Sequence, residues 1–392
     1  MKKGKDIICL TMTTWEGDYM KTIVHMMSHL AKNHRVLFVD YPFTWKDAIT
    51  ASLGRTKAPV KRMLGIEERL RTLPTPHGEV YHLTLPPGLP INWIKHTGAY
   101  QTLNKWQTSL LKKSIRHAMH LLDFEAPIVI NAFNPLIGVP LAGKLSESQL
   151  IYYCYDEIRA AHWCGQHGGE MEDKFLEKVD QVIVTSQGLL ERKSLLHPNV
   201  KLIKNGVDFD LFHQAYRPKF EQKKIVGYVG SIDFRLDYDL LDRVIRSYPH
   251  YEFHFVGRIT EPQQHQRLDQ HANVRFFGAQ QPNQIPRLMS KFDIGIIPFA
   301  TNEFTKNIYP LKINEYLAAG LPVVTTDFAP LADFDGYISV ARDAAEFSRL
   351  LDVELTFDTT DKAEERLDLA KMNDWSARAA EVEAILSPKA YA

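Results

Sequence analysis

Cysteine is scarce: Cys9, Cys154 and Cys164 are the only three in 392 residues. They show no metal-ligand spacing and cannot all pair, so a disulfide framework is excluded and a reducing, cytoplasmic setting is expected. Long hydrophobic runs are missing. No apolar run approaches the ~18–20 residues needed to span a bilayer. The apolar stretch at 7–12, behind Lys2, Lys3 and Lys5, is too short for a signal peptide and lacks a small-residue cleavage site. It reads as a first buried strand. Net charge is missing too, since 47 Lys and Arg balance 47 Asp and Glu. That balance argues against a nucleic-acid partner, which would call for excess positive charge. Low-complexity tracts and short-period repeats are absent.

What remains is ample core material. The apolar fraction is 45%, and at roughly 100–200 residues per domain the length suggests two or three domains. Short Val/Ile-rich runs alternate with helical patterns. Strands are expected at 6–11, 35–39, 128–131, 150–155, 181–185, 201–204, 224–229, 252–256, 274–277, 293–297 and 322–325. Most lack strict alternation, as parallel strands buried on both faces do. Helices are expected at 21–31, 187–195, 283–289 and 311–319, and over 361–386 with a break near Asn373 and Asp374. Repeated βα units mean α/β architecture with helices on both faces of a parallel sheet. There are too many strands for one ordinary sheet, so two Rossmann-like domains are the natural partition. The polar segment 212–224, with Pro218, has the composition of a linker.

Charge is unevenly spread. Residues 46–71 hold seven Lys or Arg and three acids, and 92–122 hold Lys95, Lys105, Lys112, Lys113 and Arg116 with no acid. Leu, Ile and Trp are interleaved with them. A membrane-facing surface has this composition, and so does a solvated helical face beside a loop.

The most informative segment is 307–324. Pro310 suits the first turn of a helix, where its missing N–H costs nothing. Lys312 and Glu315 share a helix face. Gly320 fits the helix end, and Pro322 starts the next strand. The helix start would present backbone N–H groups and a positive dipole end to a phosphate, with the Lys312 charge beside it. Glu315 is placed to accept hydrogen bonds from sugar hydroxyls. Spacing alone is equally that of an ordinary i,i+3 surface pair.

Pro310, Lys312, Glu315, Tyr316, Leu317, Ala318, Gly320, Pro322, Val323 and Val324 together resemble the nucleotide-sugar signature of family-four glycosyltransferases, nearest to the bacterial cell-surface polysaccharide branch. The resemblance covers nearly the whole chain: segments 180–186 and 205–212 resemble the end of the family's first domain, 226–233 the opening strand of its second, 273–278 and 292–298 the strands around the base pocket, and Trp375 the aromatic before the last helix. It implies the GT-B fold, with two Rossmann-like domains whose parallel sheets face across a cleft. The acceptor-side domain would span 1–213 and be completed by a C-terminal helix at 376–392 crossing back. The nucleotide-sugar domain would span 214–375.

The resemblance also implies site residues. Gly17 and Asp18 belong to a loop placed near the donor phosphates and the acceptor, although Asp18 is equally a helix N-cap. Gly230, Ser231, Gly257, Arg258 and Gly278 fall in the donor region, with base recognition near Arg258 and at 277–279. Asn307, Tyr309, Pro310, Leu311 and Glu315 bind the donor. The chain departs from the family twice. Asn307 stands where the family has the first of two glutamates. Ser231 and Arg235 stand near the positions of an Arg and a Lys, which leaves Arg235 and Lys312 to contact the diphosphate.

Tyr153, Cys154, Tyr155, Asp156 and Glu157 end a buried strand at its carboxyl edge, where ligands of open α/β sheets bind. Asp156 is the candidate near the reaction centre, or else a helix N-cap. His162 follows it, and Asn131 and Asn134 are candidates for the acceptor side. Three Asp-x-Asp triplets, at 208–210, 237–239 and 333–335, are close to chance in so aspartate-rich a chain. His25 and His29 are four apart, but no Glu follows His25 as a zinc hydrolase would require. No metal and no cofactor are expected.

The implied activity is transfer of a hexose-type sugar from a UDP- or GDP-sugar to a hydroxyl of a glycan or lipid-linked acceptor, with retention, in cell-surface polysaccharide biosynthesis. The implied location is the cytoplasm, with peripheral membrane contact through the basic segments 46–71 and 92–122. Two other readings stay open: a nucleotide-sugar epimerase of the same fold, and a catalytically silent binding subunit, which Asn307 favours.

Overall fold

The structure is a computed structural model that describes residues 4–17, 21–160, 166–217 and 224–386. The chain divides into two compact units, one of Met1–Gly17, Lys21–Lys204 and Ala379–Ala392, the other of Asp18–Met20 and Asn205–Arg378. Each has its own sheet and core.

The first unit is built on eight strands among the described residues: β1 Asp6–Thr11, β2 Arg35–Val39, β3 Leu70–Thr75, β4 Gly78–Leu83, β5 Ile128–Ala132, β6 Gln149–Cys154, β7 Gln181–Val184 and β8 Val200–Leu202. Their order is β3-β4-β2-β1-β5-β6-β7-β8. The pairs are parallel except the β3–β4 hairpin. The central strands β5, β6 and β7 are buried along their length, which is why their sequences are continuous apolar runs. The hairpin was not expected. Its β3 alternates partly buried and exposed residues and contains Pro74, a residue that sheets tolerate at an edge, and edge strands carry the weakest apolar signal.

The second unit holds β9 Ile225–Val229, β10 Glu252–Val256, β11 Val274–Phe276, β12 Ile294–Ile297, β13 Val323–Thr326 and β14 Ser339–Ala341. Their order is β11-β10-β9-β12-β13-β14, all parallel. The short β14 is half-buried and lies outside the expected strands. The helix Leu311–Ala318 is pressed onto this sheet by Tyr316, whose hydroxyl accepts Val229 N at 2.8 Å. Gly295 on β12 makes the approach feasible, since a Cβ there would lie 2.6 Å from the Tyr316 ring.

Segment 205–209 pairs with 373–375 within this unit: Val207 N donates to Asn373 O at 3.0 Å and Trp375 N to Val207 O at 3.1 Å. Pro218 and the rest of 218–223, in the expected linker, lie outside the described residues. Two helices end the described chain, Thr360–Met372 and Trp375–Ile385, with the break at Asn373 and Asp374 as expected. Asp374 makes the break by capping the new helix, its Oδ1 accepting Ser376 N at 2.8 Å. From Ala379 onward the residues belong to the first unit, where Asn33 Nδ2 donates to Glu383 Oε1 at 2.8 Å. Among the described residues no helix is long and apolar enough to cross a membrane.

Candidate functional site

Because every strand of the second sheet runs the same way, the loops after β9, β10, β11, β12 and β13 gather at its carboxyl edge, where open α/β sheets bind ligands. These loops are joined to one another. Gly230 N donates to Val256 O, Ile232 N to Arg258 O and Gly257 N to Gly278 O, each at 2.9 Å. Gly257 is required here: a Cβ on it would lie 1.7 Å from the Gly230 carbonyl oxygen. Ser231 contributes a carbonyl that accepts the Tyr228 hydroxyl at 3.0 Å. Arg258 is exposed.

The β9 and β12 loops are joined as tightly. Ala300 N donates to Arg235 O at 2.7 Å, Asp237 N donates to Pro298 O at 2.8 Å, and the Phe234 and Phe304 rings lie 5.3 Å apart. Arg235 lies over the Phe299 ring at 5.4 Å. Its guanidinium grips Asp233, Nε to Oδ1 at 2.9 Å and Nη2 to Oδ2 at 2.7 Å. The fork expected to face a diphosphate is therefore oriented by a carboxylate that also offsets its charge.

The β12 loop leads into the helix Leu311–Ala318. Pro310 is the residue just before that helix and offers no side-chain cap. The helices starting at Trp45, Gln187, Tyr238 and Thr360 are capped by a Thr, Ser or Asp side chain, while those starting at Thr22, Gly168 and Pro262 also lack such a cap, so it is the place of this start at the carboxyl edge that matters. An uncapped helix start at a ligand-binding edge presents free N–H groups and the positive end of the dipole. One turn in, Lys312 Nζ donates to Glu315 Oε2 at 2.8 Å. The side chains are 26% and 12% exposed, so this is a partly sheltered pair.

Asn307 is buried, and its Nδ2 donates to Glu303 O at 2.8 Å. A glutamate at 307 has no proton to give that carbonyl, so the amide serves this turn as a carboxylate could not. Tyr309 is a core residue, packed on Phe334 with ring centroids 5.7 Å apart, and its hydroxyl accepts Asn314 Nδ2 of the following helix at 3.5 Å. Sequence reasoning missed Asn314, fully buried one turn into the helix, which accepts Asn373 Nδ2 at 3.0 Å. Nothing about a lone Asn inside a helix pattern announces such a bond.

In the first unit, Gly17 belongs to the loop after β1. Lys21 Nζ binds that loop at Thr14 O, Thr14 Oγ1 and Glu16 O (2.6, 2.7 and 3.2 Å), and Asp40 Oδ1 accepts Trp15 N at 2.9 Å. Asp18 and His162 lie outside the described residues. Asp156 follows β6 at the carboxyl edge, half-buried, and its carbonyl accepts the Cys154 thiol at 3.3 Å. Asn131 and Asn134 differ from the acceptor-side expectation. Both are buried and bond the backbone, Asn131 Nδ2 to Asn134 O at 2.9 Å and Asn134 Nδ2 to Thr11 O at 2.8 Å. They shape the turn around Phe133, whose φ is 56°.

Glu157, beside Asp156, belongs to a buried ion cluster. Lys193 Nζ donates to Glu172 Oε2 at 2.7 Å and lies 3.7 Å from Glu157 Oε2. The Tyr152 hydroxyl donates to Glu172 Oε1 at 2.8 Å. Burial works against the Lys193 ammonium, but Cys154, Glu172 and Glu157 outweigh it and raise its pKa. Burial pushes the Cys154 thiol well up. Buried charges persist only when paired in this way.

Residues 223–352 match the family model described as Glycosyl transferases group 1. A putative teichuronic acid biosynthesis glycosyltransferase, TuaH of Bacillus subtilis (strain 168), is 30% identical over 213 residues, 48% of this chain and 53% of the relative. The match thus spans about half the length of that protein. The sucrose-phosphate synthase of Thermosynechococcus elongatus superposes with a TM-score of 0.69 at 15% identity, covering 98% of each chain. Anabaena Alr3699/HepE in complex with UDP-glucose superposes with a TM-score of 0.65 at 15% identity, covering 97% of this chain and 99% of that one.

Proposed function

We propose that this chain, a GT-B protein carrying a group 1 glycosyl transferase domain, moves a hexose-type sugar from a UDP- or GDP-sugar to a hydroxyl of a glycan or lipid-linked acceptor in cell-surface polysaccharide biosynthesis. The observation that carries this reading is the uncapped helix start at Leu311 with the Lys312–Glu315 pair one turn in. Charge develops on the leaving diphosphate during transfer, and preorganised positive potential stabilises it. The helix dipole, Lys312 and Arg235 supply that potential. Glu315 accepts from donor-sugar hydroxyls, and the main chain around Gly230, Gly257 and Gly278 borders the nucleotide. The similarity to a putative teichuronic acid biosynthesis glycosyltransferase supports the polysaccharide setting, and retention is what the family resemblance implies. Asp156 is assigned a place near the donor sugar or the reaction centre.

The acceptor setting we favour is a membrane surface. Trp45, Ile49 and Leu53 are 46%, 60% and 63% exposed, at successive i,i+4 positions. On the helix Thr97–Leu121, Leu103, Trp106 and Leu110 form a second exposed apolar stripe. The loop between them joins the two, since Gly88 O accepts Trp45 N at 2.9 Å and Leu89 N donates to Gln107 Oε1 at 3.1 Å. Lys46, Lys105 and Lys113 flank the stripes. Exposed Trp and Leu rimmed by lysine suit an anionic lipid interface.

The test is a thermal-shift screen of UDP, GDP and their common sugars. A ligand that binds only the native state raises apparent stability by RT ln(1 + [L]/Kd). One diphosphate is expected to shift the wild type and to lose its effect in Glu315→Ala. With the matching sugar, Lys312→Ala should lower kcat by roughly 10²–10³. No shift from any nucleotide, or a Lys312→Ala kcat within about threefold of wild type, overturns the reading. Binding without turnover on any acceptor would favour the silent-subunit reading, and conversion of the free nucleotide-sugar without release of UDP or GDP would favour the epimerase.

A further inference from the structure

The carboxyl edge of the first sheet holds a charged cluster that the donor reading leaves unused. Two guanidinium groups converge on the carboxylate of Glu16, in the loop after β1: Arg62 Nη2 lies 2.7 Å from Oε2, and Arg71 Nη2 lies 2.9 Å from Oε1. Arg62 comes from the short helix Val60–Met63 and Arg71 from β3. The two cations are the sheltered partners, with side chains 11% and 31% exposed, while the Glu16 side chain is 54% exposed. Arg62 Nη1 and Arg71 Nε are buried and donate to no acceptor among the described residues. The cluster thus has more donors than Glu16 satisfies, and two positive charges face one negative.

Three further contacts show which part of this arrangement can move. Arg71 Nη2 is 3.3 Å from His82 Nδ1, and the fully buried His82 lies 3.3 Å from Asp40 Oδ2, so Arg71 is braced from behind. The loop backbone around Glu16 is held by Asp40 and Lys21 through Trp15 N, Thr14 O and Glu16 O. Those anchors do not involve the Glu16 carboxylate. The carboxylate can therefore swing to solvent while the loop and the braced Arg71 keep their places.

We propose that Arg62 and Arg71 form a binding site for an oxyanion of the acceptor, a phosphate or a carboxylate, and that the Glu16 carboxylate is an internal stand-in which that oxyanion displaces. Two guanidiniums meeting from different directions can each pair with a different oxygen of either group, the planar carboxylate or the tetrahedral phosphate. The site rests on the acceptor-side reading of the first unit and narrows it to acceptors that carry a negative charge. It would also make acceptor binding report on the β1 loop, because the displaced residue is part of that loop.

The experiment is a thermal-shift and calorimetric titration of the full chain with inorganic phosphate and, separately, acetate. It compares wild type, Glu16→Gln, Arg71→Gln and the Arg62→Gln/Arg71→Gln double variant. One anion is expected to bind the wild type, to bind Glu16→Gln about tenfold or more tightly, and to bind neither arginine variant measurably. Phosphate binding points to a phosphorylated or diphosphate-linked acceptor, acetate binding to an acidic sugar. Equal binding by wild type and Arg71→Gln overturns the proposal, as does binding by Glu16→Gln alone, since the carboxylate would then never yield its place. Should the double variant fail to fold, Arg71→Gln alone decides. UDP and GDP shifts measured on the same proteins separate the two ideas: intact nucleotide binding with no anion effect sinks only this site, and the converse sinks only the donor reading.

Discussion

His34 shows how one side chain ties pH to stability. Its Nδ1 accepts Lys5 N at 3.0 Å, and its Nε2 lies 3.5 Å from Glu383 Oε1 near the end of the last helix. Burial lowers its pKa from the ordinary 6.5, Glu383 opposes that, and Lys5 adds to it. The fold therefore prefers the neutral ring. Its contribution is present above the unfolded value and is lost as pH falls through the depressed folded value, at no more than about 1.4 kcal/mol per pH unit for one group. The melting temperature of wild type is expected to fall more between about pH 7.5 and pH 5.5 than that of His34→Asn, which keeps an acceptor for Lys5 N but cannot titrate. Parallel curves would remove His34 from the acid response. Nothing in the chain around His34 foretells this, because Lys5 and Glu383 meet it only through the fold. Lys312 and Glu315 are the opposite case: helical periodicity alone puts them together, and the structure forms the pair.

At the scale of elements, the carboxyl edge of the second sheet depends on the loops after β9, β10 and β11 lying against one another. Gly257 is the tightest point, since a Cβ there would overlap the Gly230 carbonyl oxygen at 1.7 Å. That oxygen is main chain and cannot rotate away. Gly257→Ala is expected to lower unfolding free energy by about 1–3 kcal/mol, the usual cost of forcing atoms into a packed site. The same shift of the β9 loop should weaken nucleotide binding more than Gly336→Ala, a substitution at a glycine with nothing within 4 Å of its Cβ position. Urea denaturation and the UDP or GDP thermal shift measure the two effects. Equal losses from both substitutions would mean that backbone conformation, not crowding, is what glycine supplies. The buried strands and the helix at Leu311 were legible as elements because apolar runs and a Pro-to-Gly frame mark them locally. The β3–β4 hairpin and β14 were not, because half-exposed edge strands mix polar and apolar residues.

For the molecule as a whole, neutral net charge conceals a local surface of exposed Trp, Ile and Leu with lysines beside them on the first unit. The chain is expected to sediment with vesicles containing anionic phosphatidylglycerol, weakly with phosphatidylcholine alone, and less as salt rises, because the Debye length contracts to about 3 Å at 1 M. Trp106→Glu with Ile49→Glu should abolish sedimentation while nucleotide thermal shifts persist. Salt-independent binding to both vesicle types would assign the stripes to plain apolar adsorption, and no binding to either would leave them as ordinary solvated faces.

Composition and periodicity by themselves determined the α/β class, the helix break at Asn373 and Asp374, and the Pro310–Gly320 frame, because each depends on neighbours within a few residues. The group 1 resemblance rested on that same frame. Tertiary structure alone decided what the charged groups face. Arg235, expected at a diphosphate, has its guanidinium oriented by Asp233, two residues before it, in a grip that only the folded loop shows. Asn131 and Asn134 turn inward to the backbone. Glu16, Arg62 and Arg71, far apart in the chain, meet at one sheet edge. Partners of a charge are chosen by distance in space, and the parallel sheet brings together loops that the chain keeps tens of residues apart.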